Sequence, residues 1–77
     1  MKVKCNLVFD AIQINNENDI DLFLTEYVDK DTDVSISGNE VSIGGYLWLE
    51  FSDWIISTEE GFIVNTDEEF KTNYSPC

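Results

Sequence analysis

The sequence predicts a single α+β domain over residues 1–77, with an antiparallel β-sheet of four to five strands, one amphipathic helix packed on a face of it, and a short C-terminal helix. Three observations predict it. Short runs of period-two alternation recur along the chain, one segment carries a 3.6-residue apolar stripe, and a helix-capping signature stands near the end. There is no internal repeat, linker or low-complexity segment to divide the chain.

Residues 2–9 set Val3, Cys5, Leu7 and Phe9 against Lys2, Lys4, Asn6 and Asp10, the period of a half-buried strand. Ile12 and Ile14 fall on the opposite parity, so a bulge or a strand end is expected near Asp10. Asn15, Asn16 and Asn18 offer caps for the next element, a helix in which Ile20, Phe23, Leu24, Tyr27 and Val28 make an i, i+3, i+4, i+7, i+8 stripe. Acids in its first turn suit the helix dipole, whereas Glu26 and Asp29 near its end oppose it.

Residues 33–37 and 40–44 are short alternating runs joined by Gly38-Asn39, a two-residue hairpin signal. Residues 46–58 read as strand with large side chains on both parities: Leu47, Leu49, Phe51 and Ile55 on one, Tyr46, Trp48, Trp54 and Ile56 on the other. That run is either a central strand covered on both sides or two strands bent at Ser52-Asp53. Thr58-Glu59-Glu60-Gly61 reads as a turn and residues 62–65 as the returning strand. Thr66 and Glu69 then fit a capping box that opens a short helix with Phe70 and Tyr74 on one face, ended by Pro76.

The charge balance bounds function more tightly than any motif. Sixteen Asp and Glu stand against four Lys, with no Arg and no His, a formal net charge of −12. Such an excess speeds encounter with cationic surfaces and works against the compact state by self-repulsion. It disfavours direct binding to nucleic acid or to an anionic membrane, both of which need basic patches. The start of the chain shows no apolar leader segment and no membrane-spanning run, so a cytoplasmic protein is expected, with Cys5 and Cys77 as free thiols in that reducing compartment.

Catalytic chemistry finds little support. Without His there is no Ser-His or Cys-His pair, no C-x-x-C suggests zinc, and no glycine loop resembles a phosphate cradle. A non-enzymatic protein without cofactor or metal is expected. Asp29, Asp31, Asp33 and Glu40 fall at positions 1, 3, 5 and 12 of what resembles, on spacing, an EF-hand calcium loop over residues 29–40. Position 6 is Val34 where that loop needs Gly, and residues 41–45 continue as strand, so a calcium-binding module is the lesser reading. Trp48 and Trp54 share a parity with Tyr46, and exposed aromatics in such a row anchor interfaces. A domain this small needs its large side chains inside, so both Trp are expected to be mostly packed.

The carboxylates therefore form the candidate site. Glu26, Asp29, Asp31 and Asp33 crowd the helix end and its exit loop around Lys30, and Glu59, Glu60, Asp67, Glu68 and Glu69 make a second cluster that would extend the first if the fold sets them side by side. Neighbouring carboxylates about 5–7 Å apart on a helix or strand approach the phosphate spacing of a nucleic-acid strand. Small size, one domain and extreme acidity resemble, as a class, the phage-encoded nucleic-acid mimics of the anti-CRISPR and anti-restriction type. That resemblance implies an inhibitor whose acids grip the basic nucleic-acid-binding surface of a host defence protein or complex. An immunity protein or antitoxin that neutralises a basic nuclease would use the same electrostatics.

Overall fold

The structure, a computed structural model, describes residues 2–4 and 8–76. Cys5 and Cys77, and the expectation about their thiols, lie outside the described residues. The chain runs β1 (Lys2–Lys4), β2 (Val8–Gln13), α1 (Glu17–Tyr27), β3 (Val34–Ser37), β4 (Glu40–Ile43), β5 (Leu47–Glu50), β6 (Trp54–Thr58), β7 (Gly61–Asn65), α2 (Asp67–Asn73) and β8 (Ser75–Pro76). It is α+β with antiparallel pairing throughout the described strands. The strands form two sheets, a five-stranded one in the order β7-β6-β2-β1-β8 and a three-stranded one in the order β3-β4-β5.

This corrects the single sheet of four to five strands, and two local events account for the difference. The run expected as one strand over residues 2–9 doubles back, so that Val3 pairs with Phe9 and Lys2 with Asp10. The run over residues 46–58 breaks at Ser52, whose φ of 82° no strand accommodates. Asp53 N–H donates to Glu50 O at 3.0 Å across that turn, the type II geometry with Ser52 at its third position. The turn is tied down from outside as well. Ser52 N–H donates to Ile14 O at 2.7 Å, Ile14 N–H to Asp53 O at 2.9 Å, and Gln13 Nε2 to Ser52 O at 3.0 Å.

Each helix begins as its sequence signals. Asn16 caps α1, its Oδ1 accepting the Asp19 N–H at 3.1 Å, and Ile20, Phe23 and Leu24 are buried beneath it. Thr66 and Glu69 close the capping box of α2, Glu69 N–H to Thr66 Oγ1 at 3.2 Å and Thr66 N–H to Glu69 Oε1 at 2.9 Å. The Gly38-Asn39 hairpin joins β3 to β4 with Ser37 opposite Glu40, and the φ of 61° at Gly38 fits the first central position of a type II′ turn.

The core has two compartments, one on each face of the five-stranded sheet. Phe23 and Leu24 of α1 meet Val41, Ile43, Leu47 and Leu49 of the smaller sheet, with Ile14 and Ile55, on one side. Ala11, Ile56 and Phe70 form the other, joined by Phe9, Trp54 and Tyr74. The register explains the division: Ala11 pairs with Ile56 and Ile12 with Ile55, so adjacent residues of β2 and β6 point to opposite, covered faces. The parity change between Phe9 and Ile12 is therefore no bulge, because the strand is buried on both sides. An aromatic ladder fills the second compartment, with the Trp54 and Phe70 rings stacked at 3.8 Å and 3° and Phe70 on Tyr74 at 5.4 Å.

Candidate protein-binding surface

The described residues bury no charged side chain, and one ion pair is found among them, Lys71 Nζ to Asp67 Oδ2 at 2.9 Å. Even with every lysine paired, twelve carboxylates would lack a cation, since the chain has sixteen acids and four basic residues. Glu26 is exposed in the last turn of α1, and Asp29, Asp31 and Asp33 are exposed in the connection to β3. Asp29 shapes that connection, because its Oδ1 accepts the Asp31 N–H at 3.0 Å and its carbonyl the Thr32 N–H at 2.9 Å. The chain then enters the β3–β4 hairpin, with Glu40 on a strand and Val41 buried, so residues 29–40 do not take the path of an EF-hand loop between two helices.

The second cluster does not stay together. Glu59 and Glu60 are exposed in the two-residue turn where Thr58 faces Gly61, at one end of the β6–β7 ladder. Asp67, Glu68 and Glu69 lie beyond the other end, where Trp54 faces Asn65. Four residue steps along β6, from Trp54 to Thr58, separate those ends, about 13 Å. Two of the three α2 acids also have local structural tasks. Glu69 closes the capping box, and Asp67, half-buried, accepts from Trp54 Nε1 at 2.9 Å and pairs with Lys71. The Trp54 hydrogen bond, then Lys71, holds the Asp67 carboxyl below the ordinary value against a weaker opposing effect of burial.

The fold supplies a bridge that sequence reasoning missed. Asp10 in β2 pairs with Ser57 of β6, and with Glu59 and Glu60 it lines an open hollow that includes Phe9 and Ile63. Asp10 also lies close enough to Tyr27 at the end of α1 to be felt there. The Tyr27 phenol is raised above its ordinary value first by burial and then by the charges of Asp10 and Glu26. Asp10, Glu59 and Glu60 thus line one hollow, and the charges of Asp10 and Glu26 both reach the Tyr27 phenol. In the sequence Asp10 is one polar position of an alternating strand, and nothing local marks it.

A second feature departs from expectation in the opposite sense. Trp48 is not packed inside: it is 68% exposed, the most exposed of the large hydrophobic side chains described, whereas Trp54 is stacked on Phe70. Trp48 stands on the outer face of the β3-β4-β5 sheet, opposite Ser42, in the row next to Glu40 opposite Glu50. The buried Leu47 and Leu49 alternate with it on the inner face.

Compared with protein-family models, curated proteins and solved structures, the chain matches none. No helix among the described residues is long and apolar enough to cross a membrane.

Proposed function

We propose that the protein is a non-enzymatic inhibitor that occupies the basic nucleic-acid-binding surface of a host defence protein or complex, a CRISPR or restriction effector, presenting carboxylates where that surface expects phosphates. One observation carries the reading: the acids point outward, and among the described residues a single ion pair, Lys71 with Asp67, engages any of them. Spread along the 32 Å long axis, the net charge of −12 is one charge per about 2.7 Å, between the ~1.7 Å of duplex DNA and the ~3.4 Å of one strand. A surface built to neutralise a phosphate backbone meets comparable charge density here.

Glu26, Asp29, Asp31 and Asp33 are the principal contacts in this reading, with Asp10, Glu59 and Glu60 around their hollow as a second set and Glu68 on α2 as a third. Asp67 and Glu69 contribute through the shape of α2 more than as free charges. Each carboxylate accepts hydrogen bonds from a partner's Lys or Arg, and the contact at the rim is screened over about 8 Å at physiological ionic strength. The test is charge reversal of Asp29, Asp31 and Asp33 to Lys together, with competition against labelled duplex DNA on a panel of purified CRISPR and restriction effectors. The native chain displaces DNA from one of them, and the folded triple variant does so at least about tenfold less well. Equal displacement by the variant, checked as folded by circular dichroism, overturns the assignment of these residues.

A further inference from the structure

The outer face of the β3-β4-β5 sheet presents two features that the packing of the domain does not require. Glu40 and Glu50 are direct partners across β4 and β5, both exposed, and among the described side chains no cation pairs with either. Like charges directly opposite on adjacent strands, with their Cβ atoms about 5 Å apart, destabilise a sheet. Beside them Trp48 leaves most of its surface in water. Hydrophobic burial would favour the reverse arrangement, with the indole covered and the acids separated. An open hollow of about 600 Å³ runs over this face, lined by Ser37, Glu40, Trp48, Glu50, Asp53 and Thr66. The small serines at Ser35, Ser37 and Ser42 leave the indole face clear.

We infer that this face docks an arginine side chain of a basic partner protein, the guanidinium lying over the Trp48 indole and donating to Glu50 and Glu40. The charge of the face excludes a second copy of this acidic chain and selects a cation. The residue types select arginine over lysine. A planar guanidinium stacks on an aromatic face while its edge N–H groups fork toward carboxylates, and Glu50, two residues along the strand from Trp48 on the same face, is about 7 Å away. A lysine ammonium meets the charges but cannot stack in the same way. The inference shares with the proposed function the premise of a cationic partner, and adds a contact that reads the chemistry of the cation as well as its sign.

The probes are a hexa-arginine and a hexa-lysine peptide of equal charge, titrated onto the full chain with tryptophan fluorescence and calorimetry. The native chain binds the arginine peptide about fivefold tighter than the lysine peptide. Trp48→Ala removes that preference while leaving lysine-peptide binding unchanged, and the Asp29, Asp31, Asp33 charge reversal weakens both peptides while keeping the preference. Glu50→Gln weakens arginine-peptide binding and raises the thermal midpoint, the second readout being independent of any peptide. Equal affinity for the two peptides, or a preference that survives Trp48→Ala, overturns the inference. Its failure is distinct from failure of the inhibitory reading: an arginine preference at Trp48 with no effector displaced leaves this docking face standing alone, and displacement without the preference leaves inhibition by the acids alone.

Discussion

Ser52 illustrates how a single residue can redirect the chain. It holds a left-handed φ of 82° without being glycine, and its N–H and C=O are both engaged with the end of β2. The conformation costs about 1–2 kcal/mol for a residue with a Cβ, partly offset by the lower chain entropy that Ser retains over Gly. Ser52→Gly is therefore expected to raise stability by about 0.5–1 kcal/mol, read as a higher urea midpoint at unchanged slope. A lower midpoint would show that the strain is already relieved by the contacts to Ile14 and Gln13.

Asp67 is the other residue whose role came from structure alone. Its carboxyl is held below the usual value in the fold, so its contribution is present above the unfolded carboxyl value near 3.8 and is lost as pH falls below that. In a Trp48→Phe background the fluorescence of Trp54 should shift in that acid window, and Asp67→Asn should abolish the titration. In the sequence Asp67 looks like any acid in a first helical turn, because the indole that binds it lies thirteen residues earlier, on β6.

At the scale of elements, local signals were legible wherever the interactions are local. The α1 stripe, the Gly38-Asn39 turn, the Glu59-Glu60 turn and the Thr66 capping box all depend on residues close in the chain, and all appear where the pattern places them except that α1 ends at Tyr27 and leaves Val28, the last of the stripe, as its exposed C-cap. The strands were harder. β2 and β6 are covered on both faces, so their parity carries apolar residues on either side and the alternation that marks a strand is blurred. The reversal between β1 and β2 was unreadable for a related reason, since residues 2–9 alternate as one strand would. The α2 helix has seven residues and buries Phe70 alone, so the capping box, the Phe70 ring and the Asp67 bond to Trp54 hold it. Thr66→Ala is expected to cost about 1 kcal/mol and Phe70→Ala about 3–5 kcal/mol. The second approaches the whole stability of a domain this size, roughly 4–12 kcal/mol. Urea unfolding of the two variants measures the ratio, and equal small losses would show that α2 packs independently of its ladder of rings.

For the whole molecule, no acid among the described residues is buried, but the geography of the acids differs from the linear pattern. Glu26, Asp29, Asp31 and Asp33 follow one another from the end of α1 into its exit loop, the second cluster splits across the β6–β7 ladder, and Asp10 joins Glu59 and Glu60 because β2 runs beside β6. Strand order decides that neighbourhood, and strand order arises from long-range pairing that no window of sequence contains. A small core needs large side chains, which would put Trp48 inside. The domain fills its core from Phe23, the isoleucines and the Trp54–Phe70 stack instead, and leaves Trp48 free on a face it shares with two opposed glutamates. Self-repulsion of this magnitude weakens the fold, and a cationic partner is what would offset it.

That unpaired carboxylates take the place of phosphates on a basic nucleic-acid-binding surface is tested most directly by competition against salt. With a purified effector that the chain binds, duplex DNA and the protein should exclude one another from a single site. The affinity of the protein should also fall steeply between about 50 and 200 mM salt, as expected when many exposed charges meet their counterparts. Simultaneous binding of DNA and protein to the same effector, or an affinity indifferent to salt, would contradict it.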